Sequence, residues 1–245
     1  MILLELLETK YGATPPEVNY LEGFLRFHGL GLPQDLTLAF HHCEIAAKAG
    51  LPAAQYLAGK MLVDGRGVAK DIDAGFIFLR NASSQSFVPA ILFLAMLISH
   101  SDPDNGEVFA LNEVAANLGA PSAAYALATA YEEGRGIAKS EQNALHWYEK
   151  AAALGDCFAS QRLGRAYGEG QLGLRADMGL AHQWSTKAEV QRVQMEVNEF
   201  ERYKIGAANG HRASQALLAR IFETGVYGVN IDLTVSKYWE QRSRA

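Results

Sequence analysis

The feature that most constrains this 245-residue chain is a pattern of small and aromatic residues that recurs along it. Residues 56–68 read YLAGKMLVDGRGV, and residues 125–137, 69 positions later, read YALATAYEEGRGI. A related copy occupies residues 20–32, and two more end at Gly170 and Gly225. A spacing of 69 residues is about two units of 36, a period typical of proteins that stack one supersecondary unit repeatedly. The sequence therefore predicts a repeat array.

Each unit predicts a pair of helices. Alanine and leucine at helical spacing favour a first helix, and a Gly-x-Gly lets the backbone leave that helix. A second pattern, clearest as ALHWYEKAAALG at 144–155, predicts a second helix with its own apolar stripe. Neither helix pair can bury its apolar face alone, so neighbouring pairs must stack. The expected fold class is all-α, a superhelical α/α solenoid of about six helix pairs, which start near residues 17, 52, 88, 121, 157 and 213.

The combined motif resembles the Sel-one-like repeat, a relative of the tetratricopeptide repeat. It reads Tyr-x-Leu-Gly-x-x-Tyr-x-x-Gly-x-Gly-Val, followed by Ala-x-x-Trp-Tyr-x-Lys-Ala-Ala, and is most complete at 120–155. The resemblance covers about residues 17–242, with one gap. It implies an interaction scaffold without enzymatic activity, such as a bacterial adaptor, regulator or immunity-type protein.

Composition and charge bound the expected partners. Hydrophobic residues make up 49% of the chain, and its formal net charge of -5 argues against nucleic acid or an anionic membrane as a partner. The longest apolar run, 87–98, is shorter than the ~20 residues that span a bilayer, and the N-terminus lacks the basic region of a signal peptide. We expect a cytoplasmic protein, with a capping helix at 1–16 and a solenoid at 17–245.

The sequence offers no catalytic or metal-binding motif. The run HHCE at 41–44 would point its side chains about 100° apart on a helix, so they could not converge on one metal ion. GEGQLG at 168–173 has the spacing of a dinucleotide fingerprint but closes a helix instead of following a strand. Glu132 and Glu133, at a helix end, are expected to be solvated. We expect no enzyme activity, no cofactor and no metal, and a small-ligand enzyme is the least favoured alternative.

The first helices of stacked pairs are expected to line a concave groove. Positions that match Tyr125, Thr129 and Glu132 lie at i, i+4 and i+7 and share one stripe. The predicted groove residues are Tyr20, Phe24, Tyr56, Lys60, Met96, Tyr125, Thr129, Gln161, Arg165 and Arg220, with Arg162 nearby. Aromatic and arginine side chains commonly carry interface energy, so we expect a partner protein or peptide with an apolar and an acidic segment. The alternative is that the tyrosines pack between pairs and the arginines are merely solvated.

The third unit departs from the pattern. A loop at 99–106 replaces its Gly-x-Gly, and the preceding segment ILFLAMLI at 91–98 is apolar on all sides. Such a helix is either buried on most sides or exposes an apolar patch. We expect burial against neighbouring pairs. The alternative is that Leu92 and Met96 form an apolar docking spot.

The fifth unit carries an insertion of about 18 residues. No glycine or proline interrupts 188–205, so one long helix is predicted at about 179–208. A stripe on this helix has the heptad-like 3-4 spacing of helix interfaces and consists of Val190, Val193, Val197 and Phe200. The stripe would contact a partner helix, a second copy of the chain, or its own solenoid. A homo-oligomeric structural protein, such as a homodimer joined through this helix, is therefore the main alternative function.

Overall fold

The structure, a computed structural model, describes residues 15–244, so the predicted capping helix at 1–16 lies almost entirely outside the described residues. The described part contains α-helices, one 3-10 turn at Val226–Gly228 and no strand, which confirms the predicted all-α class. The helices are α1 (Pro16–His28), α2 (Leu36–Lys48), α3 (Pro52–Asp64), α4 (Ile72–Ser84), α5 (Val88–Ser101), α6 (Gly106–Asn117), α7 (Pro121–Glu133), α8 (Glu141–Ala153), α9 (Cys157–Glu169), α10 (Met178–Ala208), α11 (Arg212–Thr224) and α12 (Leu233–Arg244).

Contacts between helices divide the chain into two units. Unit one consists of the residues up to Gly75 together with those from Gln194 onward, and unit two is Phe76–Val193. In unit one, α1 packs on α2, α2 on α3, and α11 on α12. In unit two, α5 packs on α6, α6 on α7, α7 on α8, and α8 on α9. Packing of these helices on their sequence neighbours is the arrangement of a solenoid, and it confirms the predicted fold.

Local hydrogen bonds explain where the helices begin and end. The second helix of each pair starts after a side chain that accepts a bond from a backbone N–H, which satisfies one of the unpaired groups of the first turn. These capping residues are Asp35, Asp71, Asn105, Ser140, Asp177 and Asp232. The first helices end at a glycine in the left-handed conformation, except α5, which ends at the extended residue Asp102. The exception, α5, belongs to the third helix pair, whose sequence lacks Gly-x-Gly.

Small residues in the first helices allow the two helices of a pair to approach closely. A Cβ atom at Gly23 of α1 would lie 2.5 Å from the Sγ atom of Cys43 in α2. A Cβ atom at Gly164 of α9 would lie 2.9 Å from the Oγ atom of Ser185 in α10. Both distances are shorter than an ordinary van der Waals contact, so a larger residue would push the paired helices apart.

The core of unit two is built mostly from alanine, around one buried aromatic side chain, Tyr148. The lysine of the second-helix motif lies against the tryptophan three residues before it. The Nζ atom of Lys150 is 4.3 Å from the ring centroid of Trp147, and that of Lys187 is 4.6 Å from the centroid of Trp184. A cation–π contact therefore accounts for the pairing of tryptophan and lysine in the motif.

Both cysteines, Cys43 and Cys157, are buried and free of disulfides. Burial raises the pKa of the Cys43 thiol to about 12, and burial also raises the pKa of Cys157. Neither thiol is thiolate at neutral pH, so both cysteines serve as small buried side chains.

Candidate functional site

An apolar cavity of about 410 Å³ lies in unit two, between the third and fourth helix pairs. Helices α5, α6 and α7 supply its walls. Three of the predicted groove residues, Met96, Tyr125 and Thr129, line this cavity together with Leu92 and Phe109. The structure thus brings together the part of the predicted groove in which apolar side chains dominate. We call this feature the apolar cavity.

Helix α5 positions the apolar wall. Ile91, Leu94 and Ile98 are buried, whereas Leu92 is half-buried and Met96 is 55% exposed. Most of the surface of this helix packs inward, while Met96 stays open to solvent. A docking spot formed by Leu92 and Met96 stays a prediction. The cavity is also lined by Ser99, in the last turn of α5, and by two residues of the loop that replaces Gly-x-Gly, Pro103 and Asn105. The loss of the glycine turn in the third helix pair thus contributes directly to the shape of the cavity.

Tyr125 serves both the cavity and the core. Its ring meets the ring of Tyr148 edge-on at a centroid distance of 5.6 Å and lies 6.4 Å from the ring of Phe158. The hydroxyl of Thr129 donates a hydrogen bond to the backbone oxygen of Tyr125 at 3.0 Å. Packing on these neighbours fixes the tyrosine, so the cavity wall that it forms is preorganised.

A charged network begins one helical turn after Thr129. The Tyr148 hydroxyl donates to Glu132 Oε2 at 2.7 Å, Arg162 Nε donates to the same oxygen at 3.2 Å, and Arg162 Nη2 donates to Glu132 Oε1. Burial alone would raise the pKa of Glu132, but the hydrogen bonds from Arg162 and Tyr148 outweigh it and hold that pKa below its ordinary value. The expectation that Glu132 is solvated was wrong, because the next first helix brings Arg162 against it. Glu133 is exposed and pairs with Arg135 at 2.6 Å.

The remaining predicted groove residues of unit two are Gln161 and Arg165, and both are exposed on α9. Arg162, which lies between them, is the arginine that the structure builds into a network. The sequence signal for this pairing was available, since Glu132 and Arg162 lie about one repeat apart on consecutive first helices.

The predicted groove residues of unit one fall into two places. The rings of Tyr20 and Phe24 on α1 lie 6.0 Å apart, and Tyr56 and Lys60 on α3 are half-buried. Burial raises the pKa of Tyr20 and of Tyr56. Arg220 is exposed on α11 and lines a separate cavity with residues of α12. A groove that runs continuously through both units stays a prediction.

A histidine pair in unit one was not predicted. The ring of His28, at the end of α1, lies 4.5 Å from the ring of Phe24 and 6.0 Å from that of His211, just before α11. Burial lowers the pKa of His28, and His211, Arg66 and Lys60 lower it further. A repeat pattern cannot signal this contact, because it specifies neighbouring units and not positions this far apart in sequence.

This pKa shift predicts how stability depends on pH. A histidine whose pKa is lowered on folding binds fewer protons in the folded chain, so stability falls as the pH drops below the ordinary value of 6.5. We expect the melting temperature to fall between pH 7.5 and pH 5, and to fall less steeply in His28→Gln. His182→Gln, at an exposed position of α10, is the control and should follow the wild type. Parallel curves for all three proteins would contradict the assignment to His28.

The stripe predicted on the long helix divides into two parts. Val190, Val193 and Val197 are exposed on α10, a continuous helix of 31 residues. Phe200 differs from them, because its ring stacks against Tyr227 at a centroid distance of 6.4 Å and belongs to a core cluster of unit one. Of the predicted interface residues, the three valines are therefore the ones open to a partner.

The geometry defines a class of protein, the α/α solenoid, in which the apolar cavity lies between the third and fourth helix pairs. The sequence profile of the Sel1 repeat matches residues 18–51, 52–87, 121–156, 158–189 and 212–243. The chain belongs to the Sel1 repeat family, whose members generally mediate protein–protein interactions. The third helix pair lies between the matched segments, and it is the pair that lacks Gly-x-Gly and supplies α5 to the apolar cavity.

Solved structures share this fold. A Sel1 repeat protein from Oxalobacter formigenes is 28% identical, with a TM-score of 0.63 over 94% of this chain and 87% of that one. The protein c5321, a protective antigen of uropathogenic Escherichia coli with an SLR fold, is 22% identical, with a TM-score of 0.68 over 97% of this chain and 54% of that one.

Curated relatives are longer than the region they share with this chain. Chitin synthase regulatory factor 3 of Schizosaccharomyces pombe is 29% identical over 185 residues, which are 71% of this chain and 20% of that protein. An uncharacterized protein of Neisseria meningitidis is 32% identical over 149 residues, which are 61% of this chain and 31% of that protein. Among residues 15–244, no helix is both long enough and apolar enough to cross a bilayer.

Proposed function

We propose that the chain is a non-enzymatic scaffold that holds a partner protein or peptide by an apolar side chain seated in the apolar cavity. The observation that carries the proposal is the exposure of Met96 beside the half-buried Leu92 and the fixed ring of Tyr125. Aromatic and aliphatic anchors that fill a preformed pocket commonly supply most of the energy of an interface. The relation to protein-binding Sel1 repeats supports this function.

The partner segment next to the anchor would be acidic. Arg165 is exposed on α9 and lies on the predicted groove stripe. Arg165 would raise the association rate of an acidic partner, because complementary charges steer the encounter of two proteins. An adaptor or regulator role follows if the same chain holds two partners, and the cytoplasmic location stays a prediction from the sequence.

Selection of a random peptide library on the full chain tests the proposal. We expect the selected peptides to share a large apolar residue, and Met96→Glu to weaken their binding about 30-fold, the equivalent of one interface hot spot of ~2 kcal/mol. A carboxylate in the cavity wall would have to be desolvated when the peptide binds. Ile77→Glu is the matched control, because Ile77 is 63% exposed on α4 of the same unit and lies outside the cavity.

Two outcomes would contradict the proposal. The first is equal binding by Met96→Glu and the wild type, or equal losses in both variants. The second is a dimer in sedimentation of the same samples that Val193→Glu dissociates while no peptide is selected. That result would favour the alternative function, a homodimer joined through the exposed valines of α10.

A further inference from the structure

The cavity that Arg220 lines lies in unit one, between α11 and α12, the two helices of the sixth helix pair. Its volume is about 480 Å³. Both helices contribute small residues to its wall, namely Ala216, Ala219, Ser236 and Ser243. We call this feature the α11–α12 cavity. An equivalent place in another helix pair of the same chain shows what the cavity lacks.

The fourth helix pair, α7 and α8, supplies this comparison. Gly134, which ends α7 in the left-handed conformation, corresponds to Gly225, which ends α11 in the same way. The tryptophan of the second-helix motif, Trp147 in α8, corresponds to Trp239 in α12. These landmarks align the two pairs residue by residue.

Two tyrosine rings occupy the equivalent place in the fourth pair. The rings of Tyr125 and Tyr148 lie 5.6 Å apart, and Tyr148 is 1% exposed. The corresponding residues of the sixth pair are Ala216 and Glu240. Alanine is too short to replace a ring, and the Glu240 side chain is 48% exposed and pairs with Arg244 at 2.5 Å. Without the two rings, the space between α11 and α12 stays open as a cavity.

A helix covers the two rings of the fourth pair. This helix, α9, packs on α8, and its Phe158 ring lies 6.4 Å from the ring of Tyr125. Arg162 of α9 pairs with Glu132, and its guanidinium lies 5.8 Å from the centroid of the Tyr148 ring. The face that α7 and α8 form together is thus a surface on which a helix docks.

The same face of the sixth pair is exposed. Ala216, Glu223 and Glu240 are the residues that correspond to Tyr125, Glu132 and Tyr148, and within residues 15–244 they are open to solvent. A helix in a groove is one of the recurring modes of recognition between proteins. An open cavity on a face of this kind therefore fits an incoming helix that brings the missing ring with it.

Charge indicates which residue accompanies that ring. Two cations of the wall, Arg220 and Lys237, make no side-chain hydrogen bond or ion pair with any other residue of the described range 15–244. One carboxylate, Glu223, opposes them, while Arg244 and Glu240 neutralise each other. The wall therefore has a net charge of about one positive unit and favours a carboxylate on the incoming helix.

We propose that the α11–α12 cavity binds an aromatic side chain, which a helix of a partner protein presents with a carboxylate beside it. The ring takes the place that Tyr125 and Tyr148 fill in the fourth pair, and the carboxylate pairs with Arg220 or Lys237. The origin of the ring in a partner rests on the proposed function. The preference of the cavity for a ring and a carboxylate can be measured without any partner.

The probe is hydrocinnamate, a phenyl ring on a propionate tail, titrated into the ¹⁵N-labelled full chain and followed by NMR. We expect saturable shifts of the backbone signals of 216–223 and 236–243. Hydrocinnamamide, which keeps the ring and loses the charge, should bind about fivefold more weakly, the equivalent of one exposed ion pair of ~1 kcal/mol. Propionate, which lacks the ring, should give no saturable shift.

Variants place the binding in the cavity. Ala216→Tyr returns a ring of the chain itself to this place and should abolish the saturable shifts. Ala213→Tyr is the matched control, because Ala213 is exposed on the same helix and lies outside the cavity wall. Replacing Arg220 and Lys237 together by glutamine should make hydrocinnamate and hydrocinnamamide bind equally.

Three results would overturn the proposal. They are no saturable shift at these signals, equal binding of hydrocinnamate and propionate, and equal binding of hydrocinnamate and hydrocinnamamide by the wild type. Any of them would leave the face as a polar cap of the array. Shifts that persist in Ala216→Tyr would also overturn it. The comparison of the three probes on the wild-type chain stands even if a variant fails to fold.

The peptide selection separates this proposal from the proposed function. Peptides that combine an aromatic residue with a carboxylate should be lost in Ala216→Tyr, whereas peptides that depend on Met96 should be retained. Saturable binding of hydrocinnamate without any selected peptide would leave the cavity assignment intact and remove the proposed function. Selected peptides that depend on Met96, with no shift by hydrocinnamate, would do the reverse.

Discussion

Replacing Gly67 by alanine is expected to destabilise unit one by about 3 to 5 kcal/mol, which combines left-handed strain with a backbone clash. Gly67 has a φ of +74°, and a Cβ atom on it would lie 2.1 Å from the backbone oxygen of Leu36, the first residue of α2. A carbonyl at the start of a helix cannot move aside as a flexible side chain could. The turn of the second helix pair must therefore separate from the first pair.

Gly31→Ala provides the matched control. Gly31 occupies the same position of the first Gly-x-Gly, with a φ of +69°, but a Cβ atom there would meet no atom of residues 15–244 within 4 Å. Gly31→Ala should lower the free energy of unfolding only by the strain of a left-handed backbone, about 1 to 2 kcal/mol. Gly136, whose Cβ would lie 3.3 Å from Asp104 O, should fall between the two. Urea unfolding followed by circular dichroism measures the three losses, and equal losses would show that backbone strain, and not contact between pairs, sets the requirement for glycine.

Removing Arg162 while Glu132 remains is expected to cost about 2 to 3 kcal/mol, less than the ~3–5 kcal/mol of a fully buried pair. The discount reflects exposure, since the side chains of Arg162 and Glu132 are 16% and 26% exposed. Arg162→Leu leaves the carboxylate with the Tyr148 hydroxyl as its remaining partner in the network. Replacing both residues by leucine should recover part of the loss, because no charge is then left half-buried.

Arg135→Leu is the control for this cycle, because the Arg135–Glu133 pair is 44% and 52% exposed and its loss should cost less than about 1 kcal/mol. The pH dependence supplies an independent check. Since the pKa of Glu132 is lowered on folding, its contribution is present above the ordinary value of 4.5 and is lost as the pH falls through the folded pKa. Arg162→Leu should lose this acid sensitivity. Similar losses of stability in Arg162→Leu and Arg135→Leu would refute the network.

The fold could be predicted because one signature repeats at a regular period. The helix pairs, the glycine turns and the small residues at helix contacts all follow from rules that act within a unit or between neighbouring units. The apolar cavity was partly predictable for the same reason, since Met96, Tyr125 and Thr129 lie on one stripe of consecutive first helices. What the repeat could not supply was the wall formed by the irregular loop after α5.

The missed contacts share a physical cause. Glu132 was expected to be solvated because it was judged from its own helix end, whereas its partner Arg162 lies 30 residues later. The pairing of His28 with His211 needs the three-dimensional path of the chain. Hydrogen bonds of individual side chains, such as that of Gln171 with Glu169, depend on rotamers that a residue pattern does not specify.

The residues of the third helix pair divide only in part between packing and the cavity. Ile91, Ala115 and Ala116 join it to the core shared with α7 and α8, whereas Met96 and the loop before α6 face the apolar cavity. Leu92 and Phe109 belong to both groups, because they line the cavity and also pack against the core. Substitutions confined to Met96 and Pro103, which line the cavity without belonging to the core, would therefore change the surface that a partner meets, and a lineage that drifts at these two positions could acquire a new partner without refolding the array.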